Sequence, residues 1–323
     1  MSTYAEARIE KDRTRAICAR CAPMIVCPDL LVKLVTLLSI HRALAQTTLP
    51  AWPLAVKAPF FNSWYVGGEV SVPLSSSSPI NWSFEDMGWY CAIIVDGIAF
   101  RLMGADEDPP IEPAKQLAVE LTPTRTIFAM QAGPVLVNLM FFTPVTPTDL
   151  VRQSIPFSYL YASVKSSDAS MHSVNIYSDV LLDWVTGNAS LPVVSNGVVE
   201  NDIVILSSQL TVPQAFTTVG GTMYDGTIYY ATSTTNAFKV TYQIGSDVRA
   251  SAMSSSGLSN TVQSSSPNSS TNQLGLLVDF GDVSTEVLST VWAIGFYRDP
   301  VVQLASSGPS LCAANTDLLV FVL

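Results

Sequence analysis

The stretch Ser178–Trp184, SDVLLDW, sets two carboxylates four residues apart with a tryptophan beside the second. Paired carboxylates carry glycoside hydrolysis, one as acid and the other as base or nucleophile, and an aromatic ring beside them can floor a sugar. Asp179 and Asp183 are therefore the candidate catalytic residues, and Trp184 is a candidate ligand-binding residue. The competing reading is structural and is the one the pattern favours: Asp179 ends a strand and Trp184 packs under the turn that follows. The sequence holds two histidines, and His172 is the one beyond residue 41. No G-x-S-x-G elbow accompanies it, so a Ser-His-Asp triad has no support, and its place at the start of an apolar run reads as a strand edge. One histidine and the distant Cys91 and Cys312 do not make a zinc site, and Cys18-x-x-Cys21 has no second pair. Asp106, Glu107, Asp108 and Glu112 could offer oxygens to calcium. Their spacing is not that of an EF-hand, and a solvated acidic, proline-rich loop is the simpler reading. No phosphate-binding or dinucleotide motif follows a strand. No metal and no cofactor are expected.

One cation stands out. Arg152 lies in TPVTPTDLVRQSIP (143–156), between two apolar runs. Pro144 and Pro147 keep this stretch off a ladder, so it reads as a connection between strands. Arg152 is a candidate binding residue there, with pairing to Asp149 or packing of its stem as the structural alternatives.

The elements that must position these residues are strands. Short runs rich in Val, Ile, Phe and Tyr recur, the clearest at 90–95, 99–103, 126–131, 135–142, 157–165, 173–180, 203–208, 227–232, 237–243, 274–280 and 289–296. Asp96-Gly97 and Asp225-Gly226 are turn signals between such runs. A helical period after residue 46 shows only around 283–288. Many close-spaced strands predict an all-β chain, a large two-sheet β-sandwich of the supersandwich kind. The Ser- and Asn-rich stretch 251–272 predicts a surface loop.

Residues 1–45 differ from the rest. A basic lead (Arg8 to Arg20), the apolar run LLVKLVTLLSI and ALAQ predict a signal peptide cleaved after Ala45, with Met24 as an alternative start. The apolar run is too short for a bilayer, so no membrane association is expected after its removal. Secretion agrees with N-glycosylation sequons at Asn81, Asn188 and Asn268. A Cys91–Cys312 disulfide is open in that compartment. The net charge of −10 and the lack of clustered Lys and Arg after residue 42 argue against nucleic acid as a partner.

The blocks LPAWPLAVKAPFFNSWYVGG (49–68), MGWYCAIIVDGIAFRLMG (87–104), 121–164, HSVNIYSDVLLDW (172–184) and VWAIGFYRDPVVQ (291–303) resemble, in order, the start of fungal secreted glutaminase A-type proteins. The resemblance covers about residues 48–304. It implies an N-terminal β-sandwich domain over 46–304, followed in the parent protein by a helical domain that holds most of the chemistry, L-glutamine hydrolysis to glutamate and ammonia. It assigns no catalytic residue to 48–304. The tail ASSGPSLCAANTDLLVFVL (305–323) departs from the pattern. The expectation is therefore a truncated, inactive chain whose natural partner is the missing helical domain, with glutamine as the small-molecule ligand. The alternative is a carbohydrate-binding or glycoside-hydrolase-associated sandwich module with a glycan ligand.

Overall fold

A computed structural model describes residues 49–299, apart from 59–60, 68–71, 106–109, 187, 189, 220–221, 235–237, 255–256, 268 and 270–271. Among them the first strands are β1 (Trp52–Ala55), β2 (Ser63–Tyr65), β3 (Trp89–Val95), β4 (Ile98–Met103), β5 (Lys115–Thr122), β6 (Arg125–Ala132) and β7 (Val135–Phe142). Next come β8 (Phe157–Ser166), β9 (His172–Leu181), β10 (Val193–Glu200), β11 (Ile203–Leu210), β12 (Thr218–Val219), β13 (Thr222–Met223) and β14 (Gly226–Ser233). The last are β15 (Lys239–Gly245), β16 (Thr261–Val262), β17 (Ser265–Ser266), β18 (Gln273–Val283) and β19 (Leu288–Arg298). Three short helices interrupt them: α1 (Leu150–Ser154), α2 (Asp183–Thr186) and α3 (Val248–Met253). None of the described helices is long and apolar enough to cross a membrane.

Two sheets form the sandwich. The larger has nine strands in the order β17-β10-β11-β14-β19-β8-β7-β6-β5, and the smaller has six in the order β16-β15-β18-β9-β3-β4. Side chains alternate across each strand, so every second residue enters the shared core. In β9 these are Val174, Ile176, Ser178 and Val180; in β14 they are Ile228, Tyr230 and Thr232. Trp89, Trp184 and Trp292 are all at most 1% exposed and fill the core between the sheets. A hydrogen-bond chain crosses it: Tyr230 Oη donates to Ser178 Oγ at 2.6 Å, and Ser178 Oγ donates to the Tyr90 carbonyl at 2.9 Å. A buried hydroxyl left without a partner would cost about 1–3 kcal/mol, so this chain of donors fixes how the two sheets face each other.

Two of the long strands break the sequence pattern, and the weak helical period has another cause. β5 is mostly exposed at the sheet edge, so its residues lack the alternation that marks a half-buried strand. β10 contains Asn196-Gly197, which reads as a turn. Gly197 is there because a Cβ would meet Val262 Cγ2 at 2.8 Å. The stretch 283–288 is the link between β18 and β19 rather than a helix. Part of 251–272 is ordered, as the end of α3 and the short strands β16 and β17.

His172 opens β9 between two carboxylates. Its Nδ1 lies 2.7 Å from Asp96 Oδ2 and its Nε2 3.0 Å from Asp168 Oδ1. This clip joins the Asp96-Gly97 turn to the turn before β9. The hydrogen bonds to Asp168 and Asp96 raise the His172 pKa, while the bond to His172 brings Asp168 down to about 2. The imidazolium form therefore stabilises the fold below the ordinary histidine pKa, and that contribution is lost as pH rises through the raised one. The carboxylate contribution is present above the ordinary aspartate pKa and is lost as pH falls toward 2. The melting temperature gap between the wild-type chain and His172→Ala is expected to be larger at pH 5.5 than at pH 8.5; equal gaps in a calorimetric pH series would refute the clip.

Candidate functional site

The SDVLLDW residues part in space: Asp179 lies on the outer face of the six-stranded sheet, Asp183 begins the short helix after β9, and Trp184 enters the core. Asp179 pairs across β9 with Tyr90 on one side and Gly275 on the other. Its side chain is on the opposite face from Ser178 and Val180 and is 0% exposed. Helix α3 lies over it. The helix can come that close because Gly275 has no side chain: a Cβ there would meet Val248 Cγ1 at 2.4 Å. The first turn of α3 is held by the sheet, since Gln273 Oε1 accepts from the backbone N–H groups of Val248 (3.0 Å) and Arg249 (3.2 Å). Two free N–H groups of a helix start are thereby satisfied from a neighbouring strand.

Arg249 closes the site. Its Nε donates to Asp179 Oδ2 at 2.7 Å and its Nη2 to Asp179 Oδ1 at 2.9 Å, a two-pronged pair, while its guanidinium carbon stands 4.4 Å from the Tyr90 ring centre. Tyr177 packs in the same cluster with Val248, Ala252 and Leu277. Burial, and then the negative charge of Asp179, push the Tyr177 hydroxyl well above its ordinary pKa. Both Asp179 oxygens are engaged, so the carboxylate works as a structural anion rather than an open base.

Asp183 begins α2. Its Oδ1 is buried with no hydrogen-bond partner among the described residues. Burial pushes its carboxyl up to about 7, against the opposing pull of the Gly88 and Trp184 backbone N–H groups. The residue as a whole is half-buried, and Oδ1 is the oxygen closed off from water. Trp184 turns into the core, edge-on to Phe61 at 4.8 Å and to Trp89 at 5.7 Å. It offers no face to a ligand from solvent, and truncating it would cost about 3–5 kcal/mol.

The other sequence candidates sit apart from this cluster. Arg152 is on α1, between β7 and β8, with its side chain 74% exposed and its Nε 3.5 Å from Asp149 Oδ2. Asp149 also caps the helix, accepting from the Arg152 N–H at 3.0 Å. Asn81 is buried and accepts from the backbone N–H groups of Ser83 and Glu85, while Asn188 is exposed in the loop after α2. Asn268, Cys312 and Asp106 to Asp108 lie outside the described residues, and Glu112 is exposed. Cys91 faces the core as a free thiol, and burial raises its pKa far above the ordinary range. Among the described residues no group of three or more His, Cys, Asp or Glu could hold a metal ion.

Sequence reasoning missed Arg249, Tyr90 and Tyr177, and it missed the outer face of the larger sheet. There Asn196, Ser207, Gln209, Thr227 and Tyr229 line a cleft of ≈ 390 Å³. The signal for Tyr229 was present, since Tyr229-Tyr230 in an alternating strand sends one ring inward and one outward.

Comparison with known proteins adds a family context. A family model described as "Domain of unknown function (DUF5127)" matches residues 124–313. The chain is 29% identical to Glutaminase A of Aspergillus oryzae (strain ATCC 42149 / RIB 40) over 263 residues, which is 79% of this chain and 37% of that protein. It is 30% identical to a probable glutaminase of Arthroderma benhamiae (strain ATCC MYA-4681 / CBS 112371) over 159 residues, 45% of this chain and 18% of that protein. These matches establish a glutaminase A-like relationship, and the chain spans well under half the length of either relative. Among solved structures, a bacterial glucoamylase complexed with acarbose overlaps 78% of this chain and 33% of its own, at 9% identity and a TM-score of 0.43. Heparan sulfate lyase HepC from Pedobacter heparinus overlaps 75% and 31%, at 7% identity and a TM-score of 0.30. At those scores the likeness carries no functional argument.

Breaking the ion pair from one side tests its structural role. Arg249→Ala is expected to cost about 3–5 kcal/mol, because it strands a buried carboxylate. Replacing both partners, Asp179→Leu with Arg249→Met, is expected to recover most of that loss in urea unfolding.

Proposed function

The chain belongs to the DUF5127 family, and on that premise we propose that it is the non-catalytic β-sandwich domain of a secreted glutaminase A-type protein. The activity of the parent protein, in this reading, is hydrolysis of L-glutamine to glutamate and ammonia, and its chemistry is housed in a helical domain. The observation that carries the non-catalytic assignment is the engagement of both Asp179 oxygens by Arg249 in a fully buried position. The remaining reactive groups point the same way. Asp183 Oδ1 is sealed, His172 is clipped between two aspartates, and Cys91 is in the core. A general base needs hydrogen-bond reach to its substrate, whereas Asp179 has both oxygens taken, His172 has both ring nitrogens taken, and Cys91 is fully buried.

The ridge on α1 is the proposed contact with the helical domain. Arg152 stands there beside Leu150 and Val151, which are 78% and 72% exposed. Exposed apolar residues around a cation are the composition of an interface rather than of a solvated connection. Secretion, and glycosylation at the exposed Asn188, belong to the same proposal.

Ammonia release from L-glutamine by the purified chain is expected to stay at background. Release that disappears in Asp183→Asn would place chemistry in the sandwich and overturn the assignment. In a full-length relative carrying the equivalent segment, Arg152→Ala is expected to loosen the sandwich from the helical domain, read as faster proteolysis between them; unchanged proteolysis and activity would remove Arg152 from that contact.

A further inference from the structure

The outer face of the nine-stranded sheet is not uniform. Around β10, β11 and β14 it forms the cleft of ≈ 390 Å³, within the size range of small-ligand sites. Two rows of cross-strand neighbours build it. One row is Asn196, Ser207 and Tyr229, and the other is Val194, Gln209 and Thr227. No lining side chain is charged, in a chain whose net charge is −10.

The row containing Tyr229 continues to Gly295 on β19 and Phe157 on β8. Gly295 leaves a gap that Phe157 occupies, since a Cβ at Gly295 would lie 2.4 Å from Phe157 Cδ1. Phe157 is 2% exposed, and its ring centre stands 6.4 Å from that of Tyr229 at an interplanar angle of 43°. Tyr229 is thus leaned against a fixed ring and held in place at the cleft wall. On the neighbouring row Thr227 Oγ1 donates to Gln209 Oε1 at 2.8 Å. That bond orients the Gln209 amide and leaves its Nε2 donors without a partner among the described residues.

We propose that this cleft is a binding subsite for a neutral carbohydrate, with Tyr229 as the stacking platform and Gln209, Asn196 and Ser207 as hydroxyl partners. A sugar ring has an apolar C–H face and a rim of hydroxyls that both donate and accept. An aromatic face, which is electron-rich, suits the C–H side. Amide side chains, which carry a donor and an acceptor in one plane, suit the rim. The absence of charge argues against anionic or cationic ligands, and the absence of Lys and Arg against nucleic acid. A protein interface core would be richer in Met, Arg and exposed aromatic area than this polar cleft. The proposal is independent of where glutamine is hydrolysed.

Calorimetric titration of the full chain with cellohexaose, maltohexaose and mannohexaose, and with heparin as the anionic probe, tests it. At least one neutral oligosaccharide is expected to bind and heparin is not. Tyr229→Ala is expected to weaken that binding about three- to tenfold and Tyr229→Phe to preserve most of it. Gln209→Ala is expected to weaken it severalfold, and because Gln209 lies on the outer surface this variant reports even if Tyr229→Ala unfolds. Lack of binding by all three neutral probes, equal binding of heparin, or unchanged affinity in a folded Gln209→Ala would overturn the subsite.

Discussion

Asp179 is cut off from water, so its charge has to be answered by the protein itself. A carboxylate in that position is tolerable only with a partner of excellent geometry, and much of the local architecture supplies one. Gly275 gives up its side chain so that α3 can lie close to the sheet. Gln273, two residues earlier on the same strand, holds the first N–H groups of that helix. Arg249 then reaches Asp179 with two donors and rests on Tyr90. Each contribution is local, but they come from three separate strands and one helix, so none is satisfied until the six-stranded sheet is assembled.

The two faces of each sheet divide the work. Inner faces carry the tryptophans and branched aliphatics, with a polar crossing from Tyr230 to Ser178. That crossing is buried and both of its hydroxyls are engaged, so it orients the sheets without leaving either of them unpaired. The outer face of the smaller sheet is covered by α3 and its ion pair. The outer face of the larger sheet carries polar and aromatic side chains around Tyr229, and α1 stands apart in the connection between β7 and β8.

Much of this was legible in the residues. Alternation in Val135–Phe142 and Phe157–Ser166 marks strands because each has one face in the core and one toward solvent. β5 and β10 were not legible, for opposite reasons: one is too exposed to alternate, and the other carries an Asn-Gly pair that tertiary packing overrides. The nearness of Asp179, Asp183 and Trp184 was visible, yet their roles were not. Whether a carboxylate is a base or a buried anion depends on what covers it, and Arg249 is 70 residues away in the chain.

The sequence by itself determined that the chain would be a two-sheet β-sandwich, because side-chain period and turn residues act over a few neighbouring positions. It also carried the glutaminase A-like relationship, through blocks that keep their order. Only the tertiary structure decided that Asp179 is paired with Arg249 and that Tyr229 stands at a cleft. Those outcomes depend on burial and on cross-strand register, which bring together residues that no local spacing relates.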